Sequence, residues 1–118
     1  MLKVHAKKLD AVKVLSLEGH IINGDTELLR AAVQSTSGTS DIILDFSNVT
    51  IVDAHGLGVL LQLREQSLAK GIRFKLINVS MPLNRIFEIT RLNTVFEINS
   101  SIEILPRRAS LHRVPVAA

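Results

Sequence analysis

Residues 53–58 read Asp-Ala-His-Gly-Leu-Gly, where an apolar segment gives way to a leucine-rich one. Aspartate and histidine can act together in proton transfer. Here Asp53 and His55 are two residues apart, and on a helix that spacing points their side chains in different directions. The chain has no G-x-S-x-G nucleophile motif to accompany them. We therefore expect no catalysis from this segment and interpret His55 as a solvated loop histidine.

The same segment does not have the spacing of a metal site or a nucleotide site. The four histidines follow neither H-x-x-x-H nor H-E-x-x-H, and cysteine is absent, so no metal site is predicted. Gly56 and Gly58 are candidates for opening a helix whose N–H groups bind an anion. However, a carboxylate at Asp53 would cap that helix and repel the anion. We favour a capped helix with its glycines packed against the sheet, and we predict no cofactor.

Composition narrows the class of protein. With 118 residues, 47% of them hydrophobic and 21% charged, the chain is expected to form one globular domain. No apolar run approaches the roughly 20 residues that cross a bilayer, and the N-terminus does not resemble a signal peptide. We therefore expect a cytoplasmic protein without membrane insertion. The 14 Lys and Arg residues outnumber the 11 acidic ones only because three arginines follow Pro106, so no nucleic-acid binding is predicted.

Hydrophobic patterning predicts the elements that position residues 53–58. Residues 2–7 alternate with period two, as an edge strand does, and Val12–Leu17 is nearly all apolar, as a strand covered on both faces is. Gly24 and Asp25 then provide a turn and the N-cap of a helix. Four apolar residues at helical spacing mark one face of that helix: Leu28, Leu29, Ala32 and Val33.

The rest of the chain alternates in the same way. Gly71 is a natural stop for the second helix, and Ser80 with Pro82 announces the third. The predicted elements are a strand over 42–46, a helix from 54 to 70, a strand over 72–79, a helix over 80–93 and a strand over 94–98. The order is therefore β-β-α-β-α-β-α-β. Strands joined through helices imply right-handed parallel crossovers and an α/β architecture.

Residues 42–98 closely resemble the STAS domain of the anti-sigma factor antagonist family. The motifs that carry the resemblance are LDFSNV, IVDxxGLGVLL, KGIRFKLINVS and PLNRIFEITRLNTVFEI. The resemblance extends over about residues 2 to 105. It implies a STAS domain at 1–105, with a mixed, mostly parallel sheet of about five strands and helices packed against it. Residues 106–118 lack periodicity and are predicted to be a flexible tail.

The resemblance also implies a function. In that family a small bacterial domain docks onto an anti-sigma kinase and so frees a sigma factor, and phosphorylation of a serine at the start of the second helix breaks the docking. The family pattern there is Asp-Ser-Ser-Gly-Leu, so Ala54 stands at the acceptor position without a hydroxyl. This implies a partner-switching regulator of transcription that is not phosphorylated at Ala54. Ser47 and Thr50, assigned to the preceding loop, are weak alternative acceptors.

A second departure concerns the loop after the second strand. Relatives often carry a Gly-Glu-Leu-Asp-like run there, whereas residues 19–22 read Gly-His-Ile-Ile and lack both acids. If those acidic residues bind the kinase in relatives, their absence implies that this chain binds a different protein. The expected partner is an anti-sigma factor, its serine kinase or another regulatory protein, and a homodimer is left open.

The contact surface is predicted from topology. Loops that follow the carboxyl ends of parallel strands gather at one edge of the sheet. The predicted binding residues are Asp53, Ala54, His55, Gly56 and Gly58 at the helix start, with Asn23, Gly24, Asp25, Ser80, Met81 and Pro82 in the neighbouring loops. Two other functions stay open: an accessory subunit of a lipid or anion transporter, and a module that senses a nucleotide or lipid.

Overall fold

The structure is a computed structural model that describes residues 1–99. Its elements are β1 (Lys3–Leu9), β2 (Val12–Ile21), α1 (Glu27–Gln34), β3 (Asp41–Val52), α2 (Ala54–Ala69), β4 (Arg73–Ile77), α3 (Met81–Ile89), a 3-10 helix (Leu92–Thr94) and β5 (Glu97–Asn99). The predicted order of strands and helices is confirmed. The tail predicted at 106–118 lies outside the described residues.

The five strands form one mixed sheet in the order β1-β2-β3-β4-β5. β1 and β2 are antiparallel, and each later strand is parallel to the one before it. Each parallel connection steps in the same direction across the sheet. Because such crossovers are right-handed, α1, α2 and α3 all lie on one face. Their buried side chains join the inner residues of the sheet in one core, for example Leu29, Leu60 and Phe87 with Leu44 and Leu76.

The opposite face of the sheet carries a smaller apolar group, which we call the outer stripe: Val12, Val14, Ile43 and Ile77. Ion pairs between neighbouring strands flank it. Arg73 lies 3.6 Å from Asp41, and Lys75 lies 3.7 Å from Glu97. Among residues 1–99, no helix residue belongs to this group.

β3 is longer than the predicted strand over 42–46. β4 ends at Ile77 opposite Asp45, and from there β3 continues to Val52 paired with β2 alone. Two register shifts each place one extra β3 residue in this outer part. The polar residues of Ser-Asn-Val-Thr predict a loop, but pairing with β2 makes them a strand, because strand formation depends on the neighbour as much as on local preference.

α1 also differs from its prediction. Its N-cap is Thr26, which makes no side-chain hydrogen bond to the helix. The Asp25 carboxylate instead accepts a hydrogen bond from the backbone N–H of Leu2 at 2.7 Å, so the predicted cap is wrong. Leu28 is 54% exposed, whereas Leu29 and Val33 are fully buried. The inward face of α1 is therefore narrower than predicted.

The last predicted elements are shifted. α3 ends at Ile89, and the 3-10 helix occupies residues that were predicted to close the helix and open the strand. β5 therefore begins only at Glu97. Phe96, just before it, packs edge-on against Phe87 with ring centroids 5.7 Å apart, which anchors this end of the chain to α3.

Candidate functional site

α2 begins at the end of the sheet with Asp53 as its N-cap. One oxygen of the Asp53 carboxylate, Oδ1, accepts a hydrogen bond from the Gly56 N–H at 2.7 Å. The other, Oδ2, accepts one from the Asn23 N–H at 3.0 Å. The predicted cap is confirmed. The same carboxylate also ties the first turn of α2 to the loop between β2 and α1.

These two N–H groups set the electrostatics of the helix start. The Asn23 N–H, followed by the Gly56 N–H, holds the pKa of the Asp53 carboxyl below its usual value, and nearby His55 adds to the same effect. A negative charge thus already occupies the positive end of the α2 dipole. An incoming phosphate would have to compete with this carboxylate, which supports the interpretation of residues 53–58 as a capped helix.

The two glycines of α2 have different roles. A Cβ atom on Gly56 would lie 2.0 Å from the carbonyl oxygen of Ile21, so α2 and β2 approach more closely than a side chain allows. A Cβ atom on Gly58 would meet nothing within 4 Å. The expectation that both glycines pack against the sheet is correct for Gly56 and wrong for Gly58.

Residues 23–25 form a tight turn beside this helix start. The Asp25 N–H donates a hydrogen bond to the Ile22 carbonyl at 3.0 Å. Gly24 adopts φ of +85°, a conformation that side chains disfavour. Asn23 is exposed, and its N–H is the group bound by Asp53. The structure therefore joins the turn and the start of α2 into one hydrogen-bonded unit.

The third predicted segment, residues 80–82, lies apart from that unit. Ser80 caps α3 by accepting a hydrogen bond from the Leu83 N–H at 3.4 Å, and Met81 is 70% exposed. β3 continues for residues 46–52 beyond the end of β4, about 20 Å of strand, so α2 begins farther out than α3. Within residues 1–99, no hydrogen bond or ion pair joins residues 80–82 to Asp53 or Asn23.

Two exposed apolar side chains, Ile51 and Leu28, lie at the end of the sheet where α2 begins, and neither was predicted as part of the site. Ile51 is 48% exposed and lies opposite His20 near the ends of β3 and β2. Leu28 is exposed in the first turn of α1. Ala54 and His55 are both exposed, and the structure places His55 in α2 rather than in a loop. No local pattern could have identified Ile51, since its exposure depends on how far β3 extends past β4.

Ser47 and Thr50 lie in β3 and not in the loop where they were predicted. The Ser47 hydroxyl donates a hydrogen bond to Asp45 Oδ1 at 2.5 Å, and the Asn78 side-chain amide donates to the same oxygen at 3.0 Å. Burial acts to raise the pKa of Asp45, but these hydrogen bonds outweigh it and hold the pKa below its usual value. Thr50 is an exposed extra residue at a register shift.

Across residues 1–99, no group of three or more His, Cys, Asp or Glu side chains could hold a metal ion. None of the helices in this range is long and apolar enough to cross a membrane.

The model of the STAS domain family matches residues 3–104. The chain belongs to the STAS domain family. This match covers most of the sequence, and it confirms the family and the fold that the motifs at 42–98 indicated.

Solved structures with the same fold include regulators and a transport protein. An anti-sigma factor antagonist from Mycobacterium paratuberculosis superposes with a TM-score of 0.74 at 20% identity, over 95% of this chain and 92% of that chain. The Bacillus cell fate determinant SpoIIAA in its phosphorylated form gives 0.67 at 19% identity, over 96% and 100%. A sulfate transporter family protein from Wolinella succinogenes gives 0.65 at 24% identity, over 86% of each chain.

Proposed function

We propose that this STAS domain is a protein-binding regulator of the anti-sigma factor antagonist type. In this proposal it docks onto an anti-sigma factor, its kinase or a related regulator in a partner-switching system. The observation that carries the proposal is the hydrogen-bonded unit in which the Asp53 carboxylate joins the first turn of α2 to Asn23. The docking surface consists of Asn23, Ile51, Asp53, Ala54 and His55.

The chemistry of this surface suits a protein better than a small anion. Its backbone N–H groups at Asn23 and Gly56 are already bound by Asp53, so they are not free for a phosphate. The exposed Ala54 and Ile51 offer apolar area. Because hydrogen bonds hold the unit in place before binding, little entropy is lost when a protein covers it.

The proposal includes the absence of the usual switch. A phosphoryl group at residue 54 would add about two negative charges beside the Asp53 carboxylate. Ala54 has no hydroxyl to accept one. We propose that binding is controlled by the abundance of the partners or by a second protein, and that the domain itself performs no catalysis.

A charge placed at residue 54 tests the docking surface. The wild-type chain should capture its partner from native cytosol, and mass spectrometry would identify it. Ala54→Asp should weaken that binding at least about tenfold, since it adds a charge to an apolar contact. Ala69→Asp makes the same change at an exposed position at the other end of α2 and should leave binding nearly unchanged. Equal binding by wild type and Ala54→Asp would contradict the proposed surface.

A separate test addresses phosphorylation. The chain is incubated with ATP and the captured kinase, and its intact mass is measured. We expect no added phosphate, because Ala54 lacks a hydroxyl and the Ser47 hydroxyl is hydrogen-bonded to Asp45. If the wild type gains one phosphate per chain, and Ser47→Ala or Thr50→Ala abolishes that gain, the phosphorylated residue lies in β3 instead.

A transporter accessory role is the second candidate, because the fold is shared with the Wolinella succinogenes sulfate transporter family protein. The same capture experiment separates the two functions. Recovery of a membrane permease in place of a cytosolic regulator would favour the transporter role. A rise in Tm on addition of nucleotides or fatty acids would instead favour a ligand sensor. We expect no such rise.

A further inference from the structure

The sheet has two edges, and β1 forms the longer one. β1 has seven residues, whereas β5 at the opposite edge has three. β1 pairs with β2 along its whole length without a register shift. Among residues 1–99, no strand pairs with its other side. An edge of this length presents a row of backbone N–H and C=O groups that a further strand can bind.

The turn between β1 and β2 shows which backbone groups face outward. Hydrogen-bonded and non-hydrogen-bonded pairs alternate along an antiparallel ladder. A two-residue turn joins the strands, so Leu9 and Val12 are a hydrogen-bonded pair. Every second residue of β1, counted back from Leu9, is therefore bonded to β2. The N–H and C=O groups of the intervening residues point to the free edge, and these residues are Val4, Ala6 and Lys8.

Both ends of this edge are fixed. Leu2, just before β1, is fully buried, and its N–H donates a hydrogen bond to Asp25 at 2.7 Å. Beyond the other end, the Ala11 carbonyl accepts a hydrogen bond from the Ser40 N–H at 2.8 Å. β1 is therefore held extended before anything binds, which lowers the entropy cost of adding a strand.

The side chains of β1 carry one sign of charge, since the strand contains three lysines and no acid. Val4 packs against the core that the helices share, so Lys3, His5 and Lys7 point to the opposite face. All three are exposed. Among residues 1–99, none of their side chains makes a hydrogen bond or an ion pair. The two ammonium groups are therefore available to a partner.

We propose that β1 binds an extended acidic segment of another protein, which adds a strand to the sheet. The backbone of that segment pairs with Val4, Ala6 and Lys8. Its acidic side chains lie beside Lys3 and Lys7. Side chains on one face of a strand are about 7 Å apart, so acids at every second position match this row. The site is separate from the docking surface proposed at the start of α2.

A second copy of the chain fits this edge less well than an acidic segment. Lysines on an edge strand ordinarily oppose pairing with other strands. Like charges that face each other across a ladder are destabilising, whereas opposite charges stabilise it. Pairing β1 with β1 of a second copy would bring together two strands with three lysines each and no acid. The same lysines favour a strand of opposite charge.

A nucleic acid or a membrane also fits less well. The cationic row is one strand wide, because β2 presents Val14, Ser16 and Glu18 beside it. Binding to a polyanion depends on many cations that displace its counterions. β1 also has no aromatic residue on which a base could stack. An extended peptide can use both the narrow row of charges and the backbone groups.

Hydrogen exchange measured by NMR on the full-length protein tests the proposed strand addition. The probe is an acetylated and amidated peptide, EVETEVE, with an acid at every second position. At saturation, exchange of the Val4, Ala6 and Lys8 N–H groups should slow roughly fivefold or more, because they gain partners. The N–H groups of His5 and Lys7 already bind β2 and should change little. Unchanged exchange at the first three residues would overturn the proposal.

A second peptide separates strand pairing from simple charge attraction. EPEPEPE has the same four acids, but its prolines lack the N–H groups that a ladder needs. It should bind weakly and give no protection along β1. Equal affinity for the two peptides would show that charge alone governs the contact, and it would contradict strand addition.

A charge exchange identifies the residues. Lys3→Glu combined with Lys7→Glu should weaken binding of EVETEVE at least about tenfold. The same variant should bind the cationic peptide KVKTKVK, which also shows that it is folded. Lys70→Glu makes the same change at an exposed residue just after α2 and should leave binding of EVETEVE unchanged. Wild-type affinity of the double variant for EVETEVE would overturn the proposal.

Three further measurements distinguish the other occupants. Tighter binding of single-stranded DNA or of phosphatidylserine vesicles than of EVETEVE would assign the lysines to a polyanion and overturn the proposal. Protection of the β1 edge that grows with protein concentration, without peptide, would assign it to a second copy and overturn it as well. Ala54→Asp should bind EVETEVE as the wild type does, so failure at β1 and failure of the α2 surface are read separately.

Discussion

Gly56 lets α2 begin in contact with β2. Its missing side chain leaves room for the carbonyl oxygen of Ile21, which a Cβ atom would approach to 2.0 Å. The Ile21 carbonyl belongs to the backbone of β2, so it cannot rotate away from an added Cβ atom as a flexible side chain would. The position of the proposed docking surface relative to the sheet therefore depends on one residue without a side chain.

The two glycines of α2 give a matched pair of substitutions. Gly56→Ala should destabilise the fold by about 3 kcal/mol, since the new methyl group overlaps the Ile21 carbonyl. Gly58→Ala should stabilise it by about 0.5–1 kcal/mol, because the site is open and alanine favours a helix. Urea unfolding measures both. A Gly56→Ala variant as stable as Gly58→Ala would refute the close approach of α2 and β2.

Helix α1 depends on a residue from strand β2. Its N-cap makes no side-chain hydrogen bond. At its other end the Lys13 ammonium, from β2, donates hydrogen bonds to the carbonyls of Ala32 and Ser35. Partial burial lowers the pKa of Lys13, and the charge on Lys8 lowers it further. The carbonyl groups at the end of a helix have no partner within the helix, so Lys13 caps the carboxyl end of α1 through these two hydrogen bonds.

Replacing this lysine should loosen α1. Lys13→Met removes both hydrogen bonds and should cost about 1 kcal/mol, with faster hydrogen exchange in α1 than in α2. Lys7→Met is the control, because Lys7 is an exposed residue of the neighbouring strand β1. An unchanged urea midpoint for Lys13→Met would mean that solvent caps α1 equally well.

Local sequence signals predict the elements where the deciding contacts are local. Asp53 caps α2 within one turn, and Gly71 ends it with φ of +74°, so both boundaries were predictable. The length of β3 was not predictable, because residues 46–52 become strand through pairing with β2. Asp25 resembles an N-cap, but its carboxylate accepts a hydrogen bond from the Leu2 N–H instead of from α1. Leu2 is distant in sequence, so only the folded structure brings its N–H close enough to compete with the N–H groups of the helix.

The candidate site also combines residues whose position follows from the local sequence with residues that only the fold brings together. The acid, the small residue and the glycine at its centre are adjacent in sequence, so their shared position could be predicted. The hydrogen bond from Asn23 to Asp53 spans 30 residues and depends on the whole β2–β3 ladder. Residues 80–82 follow the same edge of the sheet, yet the extension of β3 sets them apart. Topology predicts which edge carries the site, and strand length decides which loops meet there.

For the whole molecule, Asp45 and Asp53 predict how stability depends on pH. The pKa of each carboxyl is lowered in the folded chain: at Asp45 hydrogen bonds overcome the opposing effect of burial, and at Asp53 the Asn23 and Gly56 N–H groups are the main cause. The unfolded chain then binds protons more readily than the folded one. The stabilisation is complete above the unfolded pKa, near 3.9, and is lost as pH falls through the lower folded pKa.

Urea midpoints between pH 6 and pH 2 should therefore fall steadily below about pH 5. Asp45→Asn together with Asp53→Asn should flatten this decline, since neither amide titrates. Glu88→Gln removes an exposed carboxylate of α3 that makes no side-chain hydrogen bond or ion pair among residues 1–99, so it should keep the wild-type slope. A double variant with the wild-type pH dependence would show that other groups govern acid unfolding. A flattened slope would show that these two carboxylates together contribute to the stability of the whole domain.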